Sequence, residues 1–178
     1  LIFSEIAFAL AMQKKNGIFI LKIYDIFTNL TIDMIYILSL FYKKVYIMKP
    51  NTSRFANSEK YLICKNFLLE DSYEIVEKFS KYFIYLNSDQ SIKRFINIKT
   101  PYYFYNKIED LNAIIGQQQI ENIIMTFNLI DCSFDEKNES KLESLKKIHI
   151  QKCIQWCIKT KIPFNKFDLS LSEDKNNN

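Results

Sequence analysis

Glycine and proline are almost missing from this chain: two glycines and three prolines stand among its 178 residues. Two isolated glycines exclude, within these residues, a glycine-rich loop of the kind that lets backbone close around a nucleotide. Cysteine is scarce too, and Cys64, Cys132, Cys153 and Cys157 are not spaced as the disulfide framework of a small secreted domain. Nothing resembles a signal peptide with a small-residue cleavage site, so a reducing intracellular compartment is expected. Long apolar runs are also absent. Residues 2–12 and 30–42 are the most apolar stretches, but both are shorter than a bilayer requires and each carries an acid, Glu5 and Asp33, so no membrane partner is expected. The net charge of +4 permits a polyanionic partner without demanding one. Residue 1 is Leu rather than Met, and the chain opens inside an apolar pattern, which reads as a fragment or a processed product.

What is present in quantity is hydrophobic: 48% of the residues, enough for a sizeable core in one domain, or one domain plus an appendage. Ser4 is placed to cap a helix running to about Gln13, with Gly17 where a left-handed terminator would stand. Residues 17–24 form a nearly continuous apolar run that suits a strand buried on both faces of a sheet, with Lys22 near its exit. A helix beginning at Asn29 or Thr31 should run through Phe41. Residues 45–48 read as a second strand closed by Lys49 and Pro50, and a polar loop to Asn57 leads into a third strand over residues 59–64.

This alternation is an α/β pattern. The first two strands should be parallel, and the last two either pair antiparallel or flank a common neighbour. Helical patterns follow at about residues 72–86, 105–127 and 141–159, with 93–103 ambiguous between strand and loop. The expected organisation is a sheet-bearing segment over residues 1–69, a helical appendage over 70–169, and a disordered polar tail over 170–178.

Two blocks carry more specific information: Gly17-Ile-Phe-Ile-Leu-Lys22-Ile-Tyr-Asp25, and Lys49-Pro-Asn-Thr-Ser53-Arg54-Phe-Ala-Asn57-Ser-Glu59-Lys-Tyr61. Together, and in this order, they resemble the FtsJ-type ribose 2′-O-methyltransferases, most closely the mRNA cap enzymes of eukaryotes and large DNA viruses. The resemblance covers roughly residues 4–67, with a weaker echo in residues 142–149 and in Lys161-Ile-Pro163. It implies the carboxyl-terminal half of a Rossmann-like sheet that works with S-adenosyl-L-methionine, followed by a mostly helical appendage. It also implies that Lys22 and Glu59 are the third and fourth members of a catalytic Lys-Asp-Lys-Glu tetrad. The first Lys, the Asp and the donor-binding loop would lie upstream of Leu1, so the chain carries part of an active site and needs the amino-terminal half of the same domain. Lys49, Ser53, Arg54 and Asn57 would contact the RNA backbone or the nucleotides near the cap. The setting implied is intracellular, cytoplasmic rather than nuclear, and the host cytoplasm or the virion if the source is viral.

The chemistry asks for such residues. A ribose hydroxyl is a weak acid, and a lysine helps remove its proton only when neutral, a state favoured by desolvation and by a neighbouring cation. A carboxylate orients the amine but favours its charged form, so the balance decides. Geometry supports the pairing separately. Ligands of open α/β sheets sit at the carboxyl ends of parallel strands, and a third strand reversed beside the first would bring Glu59 to the rim that holds Lys22. The bland alternative is that Lys22 snorkels from a strand end while Glu59 is a solvated loop acid.

In the Lys49 to Asn57 loop, donors suited to phosphate and sugar oxygens compete with the reading that Pro50, Ser53 and Asn57 merely shape a turn. His149, Cys153 and Cys157 recur every four residues, yet without an evident fourth ligand they fit a packing face as well as a metal site. Tyr102, Tyr103, Phe104 and Tyr105 are suited to base stacking or to a core. Two other functions remain beside the cap enzyme: a non-catalytic RNA-binding or interaction module on the same fold, and a ribosomal RNA 2′-O-methyltransferase.

Overall fold

The computed structural model describes residues 1–86, 92–133 and 139–165. The elements run α1 (Ile2–Met12), β1 (Ile18–Ile23), α2 (Asn29–Phe41), β2 (Tyr42–Met48), β3 (Lys60–Phe67), α3 (Tyr73–Leu86), α4 (Tyr102–Ser133) and α5 (Glu139–Thr160). The chain divides into two compact units, Leu1–Ile123 and Ile124–Asn178. All three strands belong to the first, and α5 belongs to the second. The expected tail at residues 170–178 lies outside the described residues.

The sheet is small and antiparallel, in the order β1-β3-β2. β1 and β2 therefore point the same way without touching, because β3 runs reversed between them and pairs with both. Tyr42 follows α2 without a linker and opens β2, and its buried ring meets Phe67 at the far end of β3, 5.2 Å between centroids.

Side-chain alternation sorts the sheet into two faces. Leu21 and Ile23 of β1, and Leu62 and Cys64 of β3, are buried with Leu10 of α1 and Ile35 and Leu38 of α2 in one core. Each such leucine or isoleucine contributes about 1.5–3 kcal/mol by leaving water. The opposite face is open: Ile18 is 58% exposed and Ile20 60%. This corrects the expectation of a strand buried on both faces, since among the described residues of the first unit the apolar run is covered by helices on the Leu21 and Ile23 side and exposed on the other.

Two local expectations also fail. Ser4 lies inside α1, which starts at Ile2 with no side-chain cap. Gly17 does not have a positive φ; the left-handed residue is Asn16, at 63°, a type that tolerates this region. Gly17 is needed for another reason: a Cβ there would stand 2.7 Å from the Lys14 carbonyl oxygen. At that point the chain turns back into the sheet, Asn16 N–H donating to Phe67 O and Phe67 N–H to Gly17 O, at 2.8 and 3.2 Å. Helix α2 starts at Asn29, capped by Thr28, whose hydroxyl oxygen accepts the Thr31 N–H.

Helix α3 packs its aromatic face on α1, where Phe3 stacks on Phe79 at 5.3 Å and on Phe95 at 4.8 Å. Residues 92–101 form neither helix nor strand. They are fixed by the fully buried Asp33 of α2, whose carboxylate accepts two bonds from Arg94, at 2.7 and 2.8 Å, and one from the Phe95 N–H at 3.0 Å. Three donors on one buried carboxylate offset the cost of removing it from water. Among the described residues, no helix is long and apolar enough to cross a membrane.

Candidate active site

Lys22 occupies the last outward position of β1, following Ile18 and Ile20 on the open face. Its register partner across the antiparallel ladder is Tyr61 of β3, so both side chains stand on that face. Glu59 immediately precedes β3, and the reversed strand sets it beside the exit of β1. Lys22 Nζ lies 3.1 Å from Glu59 Oε1. The Tyr61 hydroxyl donates to the same oxygen at 2.7 Å, and the Ser53 hydroxyl to Oε2 at 3.0 Å. Lys22 Nζ also lies over the Tyr24 ring, 5.4 Å from its centroid.

The electrostatics follow from these contacts. Bonds from Tyr61, then Lys22, then Ser53 lower the Glu59 carboxyl to about 2, so it is ionised at any physiological pH. Its hydrogen bond, and after it that of Tyr24, raises the Lys22 amine above its ordinary value. Lys22 is thus held as an ammonium by the residues of this chain: a donor and a positive charge, not a base. Tyr61 is raised in turn, chiefly by its bond to Glu59.

The other expected site residues divide. Lys49, just past β2, turns inward: its Nζ donates to Asn57 O at 2.7 Å, Asn57 Oδ1 at 3.0 Å and Glu59 O at 3.1 Å, with Ser53 Oγ at 3.5 Å. Burial lowers its amine below the ordinary lysine value. Asn57 Oδ1 also accepts the Glu59 N–H at 3.2 Å. Ser53 and Asn57 therefore hold Glu59, while Arg54 is exposed on the outside of the loop. The turn-forming alternative is part of the truth, since the Ser53 N–H donates to Pro50 O and the Asn57 N–H to Arg54 O. Gln119 of α4 steadies the loop from outside through Ala56 O at 3.3 Å.

Tyr61 was not among the expected site residues, although a signal was available: two positions beyond Glu59, it shares that residue's side of an extended chain. The aromatic run divides, with Tyr102 and Tyr103 exposed and Phe104 edge-on to Tyr36 at 5.1 Å. His149 and Cys153 are exposed and Cys157 is half-buried, and among the described residues no three His, Cys, Asp or Glu side chains could share a metal ion.

The described residues do not form a cradle for S-adenosylmethionine. Gly17 is closed over by the Gln13 side chain, and Gly116, with nothing near its missing Cβ, sits within α4 rather than in a loop. Neither lets backbone approach a nucleoside in the way a glycine-rich turn does.

Residues 1–67 match the family model described as FtsJ-like methyltransferase. The chain is also similar to proteins named cap-specific mRNA (nucleoside-2′-O-)-methyltransferase 1. That of Dictyostelium discoideum is 36% identical over 108 residues, which cover 60% of this chain and 14% of the relative. That of Drosophila melanogaster is 42% identical over 57 residues, 32% of this chain and 7% of the relative. That of Mus musculus is 28% identical over 149 residues, 84% of this chain and 16% of the relative. The chain thus spans a small part of the length of each.

Proposed function

We propose, from the match of residues 1–67 to the FtsJ-like methyltransferase family model, that this chain is the substrate side of an RNA ribose 2′-O-methyltransferase acting on capped mRNA. The observation that carries the reading is the Lys22–Glu59 pair at 3.1 Å on the rim of the sheet, formed by the two blocks that resemble the family.

In this reading the Rossmann-like sheet is completed by an amino-terminal half in the parent protein, which also holds S-adenosylmethionine. The open face with Ile18, Ile20, Tyr46 and Met48 exposed supports it, because such a patch is costly to leave in water. Glu59 fixes the direction of the Lys22 amine, which in its neutral form takes the ribose 2′-hydroxyl proton and, as the ammonium so formed, stabilises negative charge on that oxygen. Loss of the Lys22 proton requires a further cation at the rim to oppose Glu59, and the tetrad implied by the resemblance contains one. Arg54, outside the loop, meets the RNA backbone. An intracellular, cytoplasmic setting belongs to the same proposal.

The test is methyl transfer by the full-length parent to capped RNA and to ribosomal RNA, read as ribose 2′-O-methyl product. Lys22→Ala should abolish transfer and leave donor binding intact. Activity retained in that variant would remove the reading, and preference for ribosomal RNA would move the substrate.

A further inference from the structure

The loop between β2 and β3 brings together a lysine and a carboxylate that never touch. Lys49 stands at the loop's first position and Glu59 at its last. The three N–H bonds of the Lys49 ammonium have three well-placed acceptors: Asn57 O, Asn57 Oδ1 and Glu59 O, at 2.7, 3.0 and 3.1 Å. Two of these are backbone carbonyls flanking the turn into β3, so the ammonium draws the two ends of the loop together. Asn57 Oδ1 is fixed by this contact and accepts the Glu59 N–H; the Ser53 hydroxyl, close to the same ammonium, donates to Glu59 Oε2. An ammonium has three donors and no more. With all three directed into the loop, none points outward to a phosphate.

We propose that Lys49 is a positioning residue: by collaring the loop it sets the backbone and rotamer of Glu59, and through Glu59 the direction of the Lys22 amine. It does not bind RNA. This inference rests on the methyltransferase reading above, and its test separates the two.

Two properties distinguish a collar from a phosphate grip. A grip is an electrostatic contact, so its loss weakens RNA binding and reduces the salt dependence of binding by somewhat under one logarithmic unit per contact. A grip also accepts arginine, whose planar fork binds phosphate well. A collar converging on three oxygens around a point charge does not accept that larger, flat group.

The experiment compares Lys49→Met, Lys49→Arg, Ser53→Ala and Arg54→Ala in the full-length parent, with Lys22→Ala as reference and capped RNA as substrate. The expected result for Lys49→Met is a kcat lower by about 10- to 100-fold, as displacement of a reacting group by about 1 Å costs. Its KM for RNA and its salt dependence should be unchanged, and Lys49→Arg should not rescue it. Ser53→Ala, which removes no charge, should lower kcat in the same sense. It carries the test if the Lys49 variants fail to fold. Arg54→Ala should show the opposite pattern, with raised KM and reduced salt dependence. A Lys49→Met enzyme with raised KM, unchanged kcat and rescue by arginine overturns the collar and restores an RNA contact. A Ser53→Ala enzyme with wild-type kcat overturns it as well. If Lys22→Ala remains active, the methyltransferase reading fails instead, whatever Lys49 does.

Discussion

Lys22 and Glu59 approach to 3.1 Å across the antiparallel pair β1–β3, and each holds the other in its charged form. The amine is raised and the carboxyl lowered to about 2, so the sign of the linkage is fixed at both ends. A lowered carboxyl contributes stability above its unfolded pKa, near 4.3, and loses it as pH falls through the folded value. A raised amine contributes below its unfolded pKa, near 10.4, and loses it as pH rises through the folded value. Glu59→Gln should therefore be less stable than the parent sequence between about pH 5 and 10 and converge with it near pH 2. In the same variant the Lys22 side-chain titration, followed by NMR, should move down. An unmoved midpoint would show that Glu59 does not set it.

The Asp33–Arg94 pair should matter more to folding than to chemistry. Arg94→Met leaves a carboxylate with no solvent exposure and, among the described residues, only the Phe95 N–H as partner. We expect a loss of about 2 kcal/mol in urea unfolding, below the ~3–5 kcal/mol typical of fully buried pairs because the Arg94 side chain is 38% exposed. The double variant Asp33→Leu, Arg94→Met should recover most of it. Equal stability of Arg94→Met and the unaltered chain would show that the pair does not hold residues 92–101.

Gly17→Ala should destabilise by about 1–3 kcal/mol, as crowding against fixed backbone does. The added methyl meets a carbonyl oxygen of Lys14 at 2.7 Å, not only the movable Gln13 side chain. Thermal unfolding of the variant measures it. An unchanged midpoint would mean that the 14–17 turn yields freely.

β1 is an edge strand of the three-stranded sheet and exposes Ile18 and Ile20. Such an edge pairs with other chains. The 178-residue chain expressed alone should be poorly soluble, and Ile20→Lys, which places a charge on the open face, should increase the monomer fraction in size-exclusion chromatography. Monomeric behaviour of the unaltered chain at high concentration would contradict this.

Much of the site is legible in the sequence because it depends on strand alternation and direction. A reversed third strand beside β1 suffices to bring Glu59 to Lys22; the strands themselves follow from periodicity, whereas the position of β3 between β1 and β2 is one of two pairings that the sequence leaves open. The inward turn of Lys49 does not follow, since an irregular loop has no period from which to read where a side chain points. The same holds for Arg94, whose partner lies on a distant helix and whose own segment carries no regular pattern. Ser4 and Gly17 mislead for a different reason. Both are residue types favoured at helix ends, but here the apolar pattern begins before Ser4, and Asn16 takes the left-handed position. The continuous run of residues 17–24 shows that β1 is apolar on both faces, but not whether this chain supplies the layer for each.

Because, among the described residues, β3 alone joins β1 to β2, this three-stranded sheet closes only once residues 60–67 have been synthesised. A truncation before Lys60 would take from β1 and β2 the neighbour they share and would also remove Tyr61. Closure of this sheet and assembly of the rim thus coincide in a single event, the insertion of one ribbon between two waiting ones.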